Sequence, residues 1–210
     1  MTTQINHYVA LGDSLSEGVS DWGRGDRRIG FTYLLADLLR SQNAELRFTN
    51  LGVGGARTAD VLSYQLPRLV ELQPDLAILV VGANDLPGTH FDQFAREYAD
   101  LIRQLRANVR GTLAIATIPD FAHLLATQYV SMRAALQYRV RDFNMVIREN
   151  AREHNALLVD LQDHPEARDP RNLSSDGVHP NARGYRTMAR AFVETLNTAG
   201  FDLALPAIDP

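Results

Sequence analysis

An uninterrupted apolar run, Leu76-Ala77-Ile78-Leu79-Val80-Val81, constrains the fold more than any other stretch of the chain. A half-exposed strand alternates apolar and polar residues, whereas a continuously apolar strand is typical of a parallel sheet that helices cover on both faces. Apolar strands alternate with amphipathic helical stretches along the rest of the chain, which is the order of βαβ units. Strands are predicted at about 5–11, 46–51, 76–81, 113–118 and 156–161.

Apolar residues recur at helical spacing between these strands, which predicts helices on both faces of the sheet. Thr58 is predicted to cap the helix after the second strand, and Pro67 to kink or split it. The chain contains no internal repeat, low-complexity segment or linker. The sequence therefore predicts a single domain over residues 1–210, with its core at about 5–195 and a tail at 200–210.

Composition excludes several classes of partner. The 210 residues are 45% hydrophobic and 22% charged, as in a globular protein with a full core. The net charge is −4 with no basic block, which argues against a nucleic-acid partner. No apolar run approaches the ~20 residues that span a membrane, so no stable membrane insertion is expected. The first strand starts by about Ile5 and leaves no room for a signal peptide, which predicts a cytoplasmic location.

Two residue types are missing, and their absence narrows the chemistry. The chain has no Cys, which excludes a thiol nucleophile, a thiolate metal site and a disulfide framework. All 21 basic residues are Arg, which excludes a Schiff-base lysine, a Ser-Lys dyad and the P-loop lysine. Five of the six histidines stand alone without metal-ligand spacing, so the sequence predicts neither a metal nor a cofactor.

A serine follows the first predicted strand, in Gly12-Asp13-Ser14. Open α/β sheets bind their ligands just beyond the carboxyl ends of the strands, and Ser14 lies at such an end. Gly12 allows a sharp turn there, and the Asp13 side chain is suited to accept hydrogen bonds from nearby backbone N–H groups. On its own this tripeptide is equally explained as ordinary turn chemistry.

Residues far apart in the sequence can supply the partners that a nucleophilic serine needs. The imidazole of His179 has a suitable pKa for a general base, and Asp176, three residues earlier, can orient it. An oxyanion also needs hydrogen-bond donors, which the backbone N–H groups of Ser14 and Gly55 and the Asn84 amide can provide. The carboxyl ends of parallel strands share one edge of a sheet, so these residues are expected to meet there.

Each of these signals also has a structural explanation. An Asp-x-x-His before a helix is most often an N-cap region or a surface pair. The glycines at 52, 54 and 55 are explained by a tight turn between a strand and a helix, and Asn84-Asp85 by an Asx turn. A glycine-rich loop could also cradle phosphate, although the full dinucleotide fingerprint is absent. The order of the four signals along a βαβ chain favours the catalytic interpretation.

Four blocks of the sequence together resemble the SGNH, or GDSL-type, hydrolase family. The resemblance spans about residues 5–195, implies an α/β fold of the three-layer α/β/α, flavodoxin-like type with a five-stranded parallel sheet, and implies metal-free hydrolysis of esters or thioesters. The matching blocks are Gly12-Asp13-Ser14-Leu15, Asn50-Leu51-Gly52-Val53-Gly54-Gly55, Gly82-Ala83-Asn84-Asp85 and Asp176-Gly177-Val178-His179-Pro180.

The resemblance implies roles for the residues at the matched positions. Ser14 is the implied nucleophile, with His179 and Asp176 as its base and orienting acid. Gly55, in preference to Gly52 or Gly54, and Asn84 are the implied oxyanion donors together with the N–H of Ser14. Independently of the resemblance, the substrate pocket is expected between the loop after Ser14 and the apolar segment 121–130. The candidate substrate-binding residues are Leu15, Trp22, Phe121, His123 and Val178.

The function predicted first is a serine esterase that hydrolyses small-molecule esters or thioesters of small or medium acyl groups. A carbohydrate or lipid acyltransferase or deacetylase with the same triad is the first alternative. A non-catalytic carbohydrate- or lipid-binding module on the same scaffold is the second, and a degenerate triad would favour it. A nucleotide- or flavin-binding flavodoxin-like protein is the third, and it would copurify with its cofactor.

Overall fold

Five parallel strands form one sheet in the computed structural model, which describes residues 5–21, 29–120, 130–166 and 169–208. The spatial order is β2-β1-β3-β4-β5, so the chain starts near one edge and crosses over β1 to build the other. Each predicted strand is present, with ends that differ from the prediction by at most two residues. The strands are β1 (His7–Gly12), β2 (Arg47–Asn50), β3 (Leu76–Val80), β4 (Thr112–Ala116) and β5 (Leu157–Val159).

Helices connect the strands and cover both faces of the sheet. Short 3₁₀ turns at Ala83–Asp85 and Pro170–Asn172 lie between the longer elements. Within the described ranges, no helix is both long and apolar enough to cross a membrane. The α-helices are α1 (Ser14–Glu17), α2 (Phe31–Gln42), α3 (Thr58–Asp60), α4 (Leu66–Leu72), α5 (Phe91–Asn108), α6 (Val130–Glu153) and α7 (Ala182–Thr198).

The central strand β3 is buried on both faces, as its apolar run predicts. Its residues alternate between two hydrophobic clusters, with Ile78 facing the cluster built by α2 and α7 and Leu79 facing the one built by α4, α5 and α6. Phe31 of α2 stacks on Phe192 of α7 with ring centroids 5.0 Å apart. The three-layer α/β/α arrangement follows from this alternation.

In the connection from β2 to β3, the predicted helix cap at Thr58 is wrong and the predicted break at Pro67 is confirmed. Thr58 does not cap its helix: Arg57 occupies the N-cap position, and the Thr58 hydroxyl donates to the buried Asp85 carboxylate instead. Pro67 does split the helix. It lies in the first turn of α4, directly after a π-helical turn at Val61–Gln65. Proline lacks an N–H and clashes with the preceding turn, and a wider turn relieves that clash.

The C-terminal segment after α7 has no regular secondary structure over residues 201–208. It nevertheless contacts the core, because Phe201 and Leu203 are buried in the cluster on the α2 and α7 face. The Asn197 side chain accepts a hydrogen bond from the Leu203 N–H and donates one to its carbonyl, each 3.0 Å long. This face of the sheet is therefore closed by the tail as well as by helices.

Candidate active site

Ser14 is the first residue of α1, immediately beyond the carboxyl end of β1. Asp13 caps this helix, and its Oδ1 accepts from the Leu15 N–H at 3.0 Å, which confirms the backbone contact predicted for that side chain. Gly12 has a φ of +127°, and a Cβ there would lie 1.8 Å from the Val80 carbonyl oxygen. Only glycine allows this turn between strand and helix.

A continuous chain of hydrogen bonds joins Ser14 to His179 and Asp176. The distance from His179 Nε2 to Ser14 Oγ is 3.0 Å, and that from His179 Nδ1 to Asp176 Oδ2 is 2.6 Å. Asp176 and His179 lie in the loop before α7, and His179 is 165 residues after Ser14 in the sequence. Both imidazole nitrogens therefore have the partners that a general base for a serine hydroxyl requires.

The Asp176 carboxylate is held in its ionised form. Burial on its own would raise the pKa of this carboxyl, but hydrogen bonds from the His179 ring and from the Val178 and His179 N–H groups outweigh it. The two backbone N–H groups bind Oδ1 at 2.8 and 2.9 Å. The pKa is consequently lower than its ordinary value of 3.8, and Asp176 stays negative beside the imidazole at neutral pH.

The loop that carries His179 is closed by its own backbone. The Ser174 N–H donates to the His179 carbonyl at 2.7 Å, and the Ser174 hydroxyl donates to the Pro180 carbonyl at 3.0 Å. Asn181 then caps α7 through the Gly184 N–H. These bonds fix the imidazole before it meets any substrate, which is how a reacting group is pre-organised.

The glycine-rich loop after β2 leaves one backbone donor unpaired. The Gly52 N–H donates to Asn50 Oδ1, and the Gly54 N–H donates to Glu17 Oε2 at 2.5 Å. The Val53 and Ala56 N–H groups are also bonded, to the Gly12 and Val53 carbonyls. Among the residues that the structure describes, the Gly55 N–H has no partner, and neither has the Ser14 N–H at the start of α1. Gly55 is thus the free donor of this loop.

Asn84 presents an amide next to the same loop. Its Nδ2 donates one hydrogen to the Ala56 carbonyl at 3.0 Å, and the amide has a second hydrogen that bonds to no other residue in the described part of the chain. The neighbouring Asp85 carboxylate accepts from the Thr58 N–H and hydroxyl and from the Thr89 hydroxyl. The Asn84 turn and the glycine-rich loop are therefore tied together by buried hydrogen bonds.

Two buried carboxyls lie beneath the site. Burial raises the pKa of Asp13 to about 7, against the opposing effect of the hydrogen bond from the Leu15 N–H. Burial also raises the pKa of Asp85, although its hydrogen bonds from Thr58 and Thr89 oppose the change. Asp13 accepts from the residue after Ser14, and Asp85 accepts from Thr58, three residues after Gly55, so both carboxyls brace segments next to the free donors.

An apolar cavity of about 70 Å³ is lined by chain neighbours of the two reacting residues, namely Leu15 next to Ser14 and Val178 and Pro180 on either side of His179. Two predicted substrate-binding residues are on its wall: Leu15 is 5% exposed and Val178 is 51% exposed. The other three, Trp22, Phe121 and His123, lie outside the described residues. The remaining wall residues have no signal in the sequence, because they look like ordinary core or loop positions. They are Pro119, Asp120, Leu161, His164, Glu166, Asn172, Leu173, Pro180, Gly184, Thr187 and Met188.

A second, wider groove of about 400 Å³ is lined by the glycine-rich loop, including Gly55. The Tyr64 ring forms one wall and is 72% exposed, and Asp60 and the almost fully buried Gln65 also line the groove. The free N–H of Gly55 therefore belongs to a residue on the wall of a groove that also has an exposed aromatic ring.

The sequence also matches a family model, that of the GDSL-like lipase/acylhydrolase family, over residues 10–187. The chain belongs to this family. The match confirms the predicted family and enzyme class, a GDSL-type hydrolase, and it covers every block from Ser14 to His179.

Among curated proteins, this GDSL-type hydrolase is similar to an acetylxylan esterase from Geobacillus stearothermophilus, with 23% identity over 201 residues that cover 87% of the chain and 91% of the relative. It is 27% identical over 125 residues to a multidomain esterase from Ruminococcus flavefaciens, covering 59% of the chain but only 16% of that protein. A solved α/β hydrolase from the metagenome of Lake Arreo, Spain, shares the fold with a TM-score of 0.73 at 22% identity, covering 91% and 95% of the two chains.

Proposed function

We propose that this GDSL-type hydrolase is a serine esterase in which Ser14 is the nucleophile, His179 the general base and Asp176 its orienting carboxylate. The observation that carries the proposal is the hydrogen-bond chain from Asp176 Oδ2 through the imidazole to Ser14 Oγ, with distances of 2.6 and 3.0 Å. Because both ring nitrogens are engaged, the imidazole is oriented to accept the serine proton.

The proposed reaction has two steps. Ser14 Oγ attacks the ester carbonyl carbon while its proton moves to His179 Nε2, and the carbonyl oxygen becomes an oxyanion. The free N–H groups of Ser14 and Gly55 and the second Asn84 amide hydrogen stabilise that charge. The tetrahedral intermediate then breaks the bond to the alcohol, which leaves with the proton from His179. Water attacks the acyl-enzyme in the same way and releases the acid.

The cavity between Leu15 and Val178 is the proposed acyl site. A volume of about 70 Å³ accommodates a few non-hydrogen atoms, since about 10–15 Å³ is needed for each water-sized atom. Each buried methylene stabilises binding by about 0.8 kcal/mol until the cavity is full. We therefore expect kcat/KM to rise from acetate to about butyrate or hexanoate and then to level off or fall.

A deacetylase acting on a carbohydrate is the second candidate, and the groove beside Gly55 favours it. A pyranose ring has apolar C–H groups on its faces and hydroxyls at its edge, which suits the exposed Tyr64 ring beside the Asp60 carboxylate. The curated relative from Geobacillus stearothermophilus is named an acetylxylan esterase. A preference for acetylated oligosaccharides over p-nitrophenyl acetate that is lost in Tyr64→Ala would establish this candidate.

The test is hydrolysis of p-nitrophenyl esters of two to sixteen carbons by the wild type, Ser14→Ala, His179→Ala and the double variant. Each single change should lower kcat by a factor of about 10⁴ and the double change little more, because the two groups act as a unit. Ser41→Ala, on the exposed end of α2, is the matched control. Ser14→Ala with more than a tenth of wild-type kcat would refute the mechanism, and transfer to added alcohols would indicate an acyltransferase.

A further inference from the structure

A buried glutamine side chain holds both main-chain polar groups of Gly12. Gln65 Oε1 accepts from the Gly12 N–H at 2.8 Å, and Gln65 Nε2 donates to the Gly12 carbonyl at 2.8 Å. The side chain is 3% exposed, so these bonds form without competition from water. A buried amide paired on both sides is rigid, because breaking the pair would leave polar groups unsatisfied.

Gly12 is connected to both segments that carry a free N–H donor of the site. Gly12 ends β1 two residues before Ser14, and its carbonyl also accepts from the Val53 N–H at 3.1 Å. Val53 belongs to the loop that presents the Gly55 N–H. Gln65 therefore acts on a carbonyl that joins the nucleophile turn to the glycine-rich loop.

The π-helical turn at Val61–Gln65 brings this amide to Gly12. Its wider hydrogen bond runs from the Leu66 N–H to the Val61 carbonyl, which adds one residue to the turn. One residue corresponds to a rotation of about 100° on a regular helix, so the same side chain would otherwise point away from β1. π-helical turns of this kind occur frequently at functional sites.

We propose that Gln65 is a positioning residue for ester hydrolysis, which fixes the Ser14 N–H relative to the Gly55 N–H. The inference rests on the serine esterase function proposed above. Gln65 makes no bond to Ser14, His179 or Asp176, so it acts only through Gly12. Its removal should misplace the oxyanion donors, whose contribution arises in the transition state, and should spare substrate binding.

The first test is Gln65→Met, which keeps an unbranched side chain of similar length and removes both hydrogen bonds. We expect kcat for p-nitrophenyl acetate to fall about 10- to 100-fold, since a displacement of about 1 Å costs about that much, and KM to stay within about threefold. Asn144→Leu is the matched control. Asn144 is a buried amide that bonds the Ile118 N–H and carbonyl at 2.7 and 2.8 Å at the end of β4. It should lower Tm comparably and leave kcat within about threefold.

The second test is the pH dependence of kcat in Gln65→Glu, which a purely structural role of Gln65 would not produce. An ionised carboxylate can accept from the Gly12 N–H but repels the Gly12 carbonyl, whereas a protonated carboxyl reproduces both bonds. Burial favours the neutral form. The kcat of Gln65→Glu, divided by that of the wild type at the same pH, should therefore be at least fivefold higher at pH 6 than at pH 9. The elements that pack against this turn are β1, α3, α4 and α5, and they carry charges of both signs: His7, Arg57, Asp60, Arg68, Glu71, Asp92, Arg96, Glu97, Asp100, Arg103 and Arg106. The preference for the neutral form therefore rests on burial.

The outcomes separate this inference from the esterase function. Gln65→Met with more than half of wild-type kcat, or a Gln65→Glu ratio that is flat with pH, would overturn the positioning role while Ser14-dependent hydrolysis stands. The positioning role would also be overturned if Gln65→Met and Asn144→Leu lowered Tm by similar amounts and lowered kcat by similar factors. If Gln65→Met does not fold, the pH ratio of Gln65→Glu decides. A wild type without Ser14-dependent hydrolysis would overturn both proposals.

Discussion

Replacing Asp13 by Asn should stabilise the protein at neutral and alkaline pH. Burial raises the pKa of the Asp13 carboxyl to about 7, against an ordinary value of 3.8. The folded protein therefore binds this proton more tightly than the unfolded chain does. Between about pH 4 and pH 7 the unfolded chain releases the proton first, so stability falls as the pH rises, and it levels off above pH 7.

The magnitude follows from the difference between the two pKa values. A change from 3.8 to about 7 corresponds to about 4 kcal/mol of unfolding free energy, at 1.36 kcal/mol per pKa unit. Asn cannot ionise, and it ranks with Asp as an N-cap, so its side-chain oxygen keeps the bond to the Leu15 N–H. The variant and the wild type should therefore be equally stable near pH 4 and differ by about 4 kcal/mol at pH 8.

Urea unfolding at pH 4.5, 6 and 8, followed by circular dichroism, measures this difference directly. Asp37→Asn, a mostly exposed carboxylate on α2, is the matched control and should change the unfolding free energy by less than about 0.5 kcal/mol at each pH. A stability difference between Asp13→Asn and the wild type that does not grow with pH would refute the reasoning. It would mean that the buried carboxyl is not a cost to folding.

Two further predictions concern the reaction. Asn84→Ala should lower kcat by about 10²–10³ with little change in KM, because the amide acts mainly on the transition state; a change in KM alone would make Asn84 a substrate-binding residue. Dialysis against EDTA should leave esterase activity intact, because the proposed triad needs no ion; a loss that Zn²⁺ or Mn²⁺ restores would contradict the serine mechanism.

The sheet and the candidate nucleophile could be predicted because they rest on local signals. The apolar run of β3 is typical of a strand covered on both faces, and parallel topology then places Ser14 and His179 at the same edge. Gly55 could be predicted as an oxyanion donor only from the family resemblance, because the free state of its N–H depends on which neighbours bond to Glu17 and Asn50. Those pairings are set by tertiary contacts and leave no pattern in the chain.

The same limit explains the residues that were missed. Gln65 matches no motif, and its role depends on a π-helical turn that shifts the helix by one residue. Leu161 and Met188 line the cavity but have the spacing of ordinary core residues. The position of Thr58 alone suggests a helix cap, whereas its hydroxyl donates a hydrogen bond to the buried Asp85 carboxylate. In each case the function of the residue depends on its neighbours in the folded protein, which the residue type does not indicate.

The most direct test of the account is the site at which a covalent inhibitor attaches. An alkyl fluorophosphonate loses fluoride to an activated serine and leaves a stable phosphonyl adduct, which intact mass and peptide mapping locate. The account predicts one adduct per chain, on Ser14, with loss of esterase activity in step with labelling, and no adduct in His179→Ala over the same time. Stoichiometric labelling of another residue, or full activity after Ser14 is blocked, would contradict it.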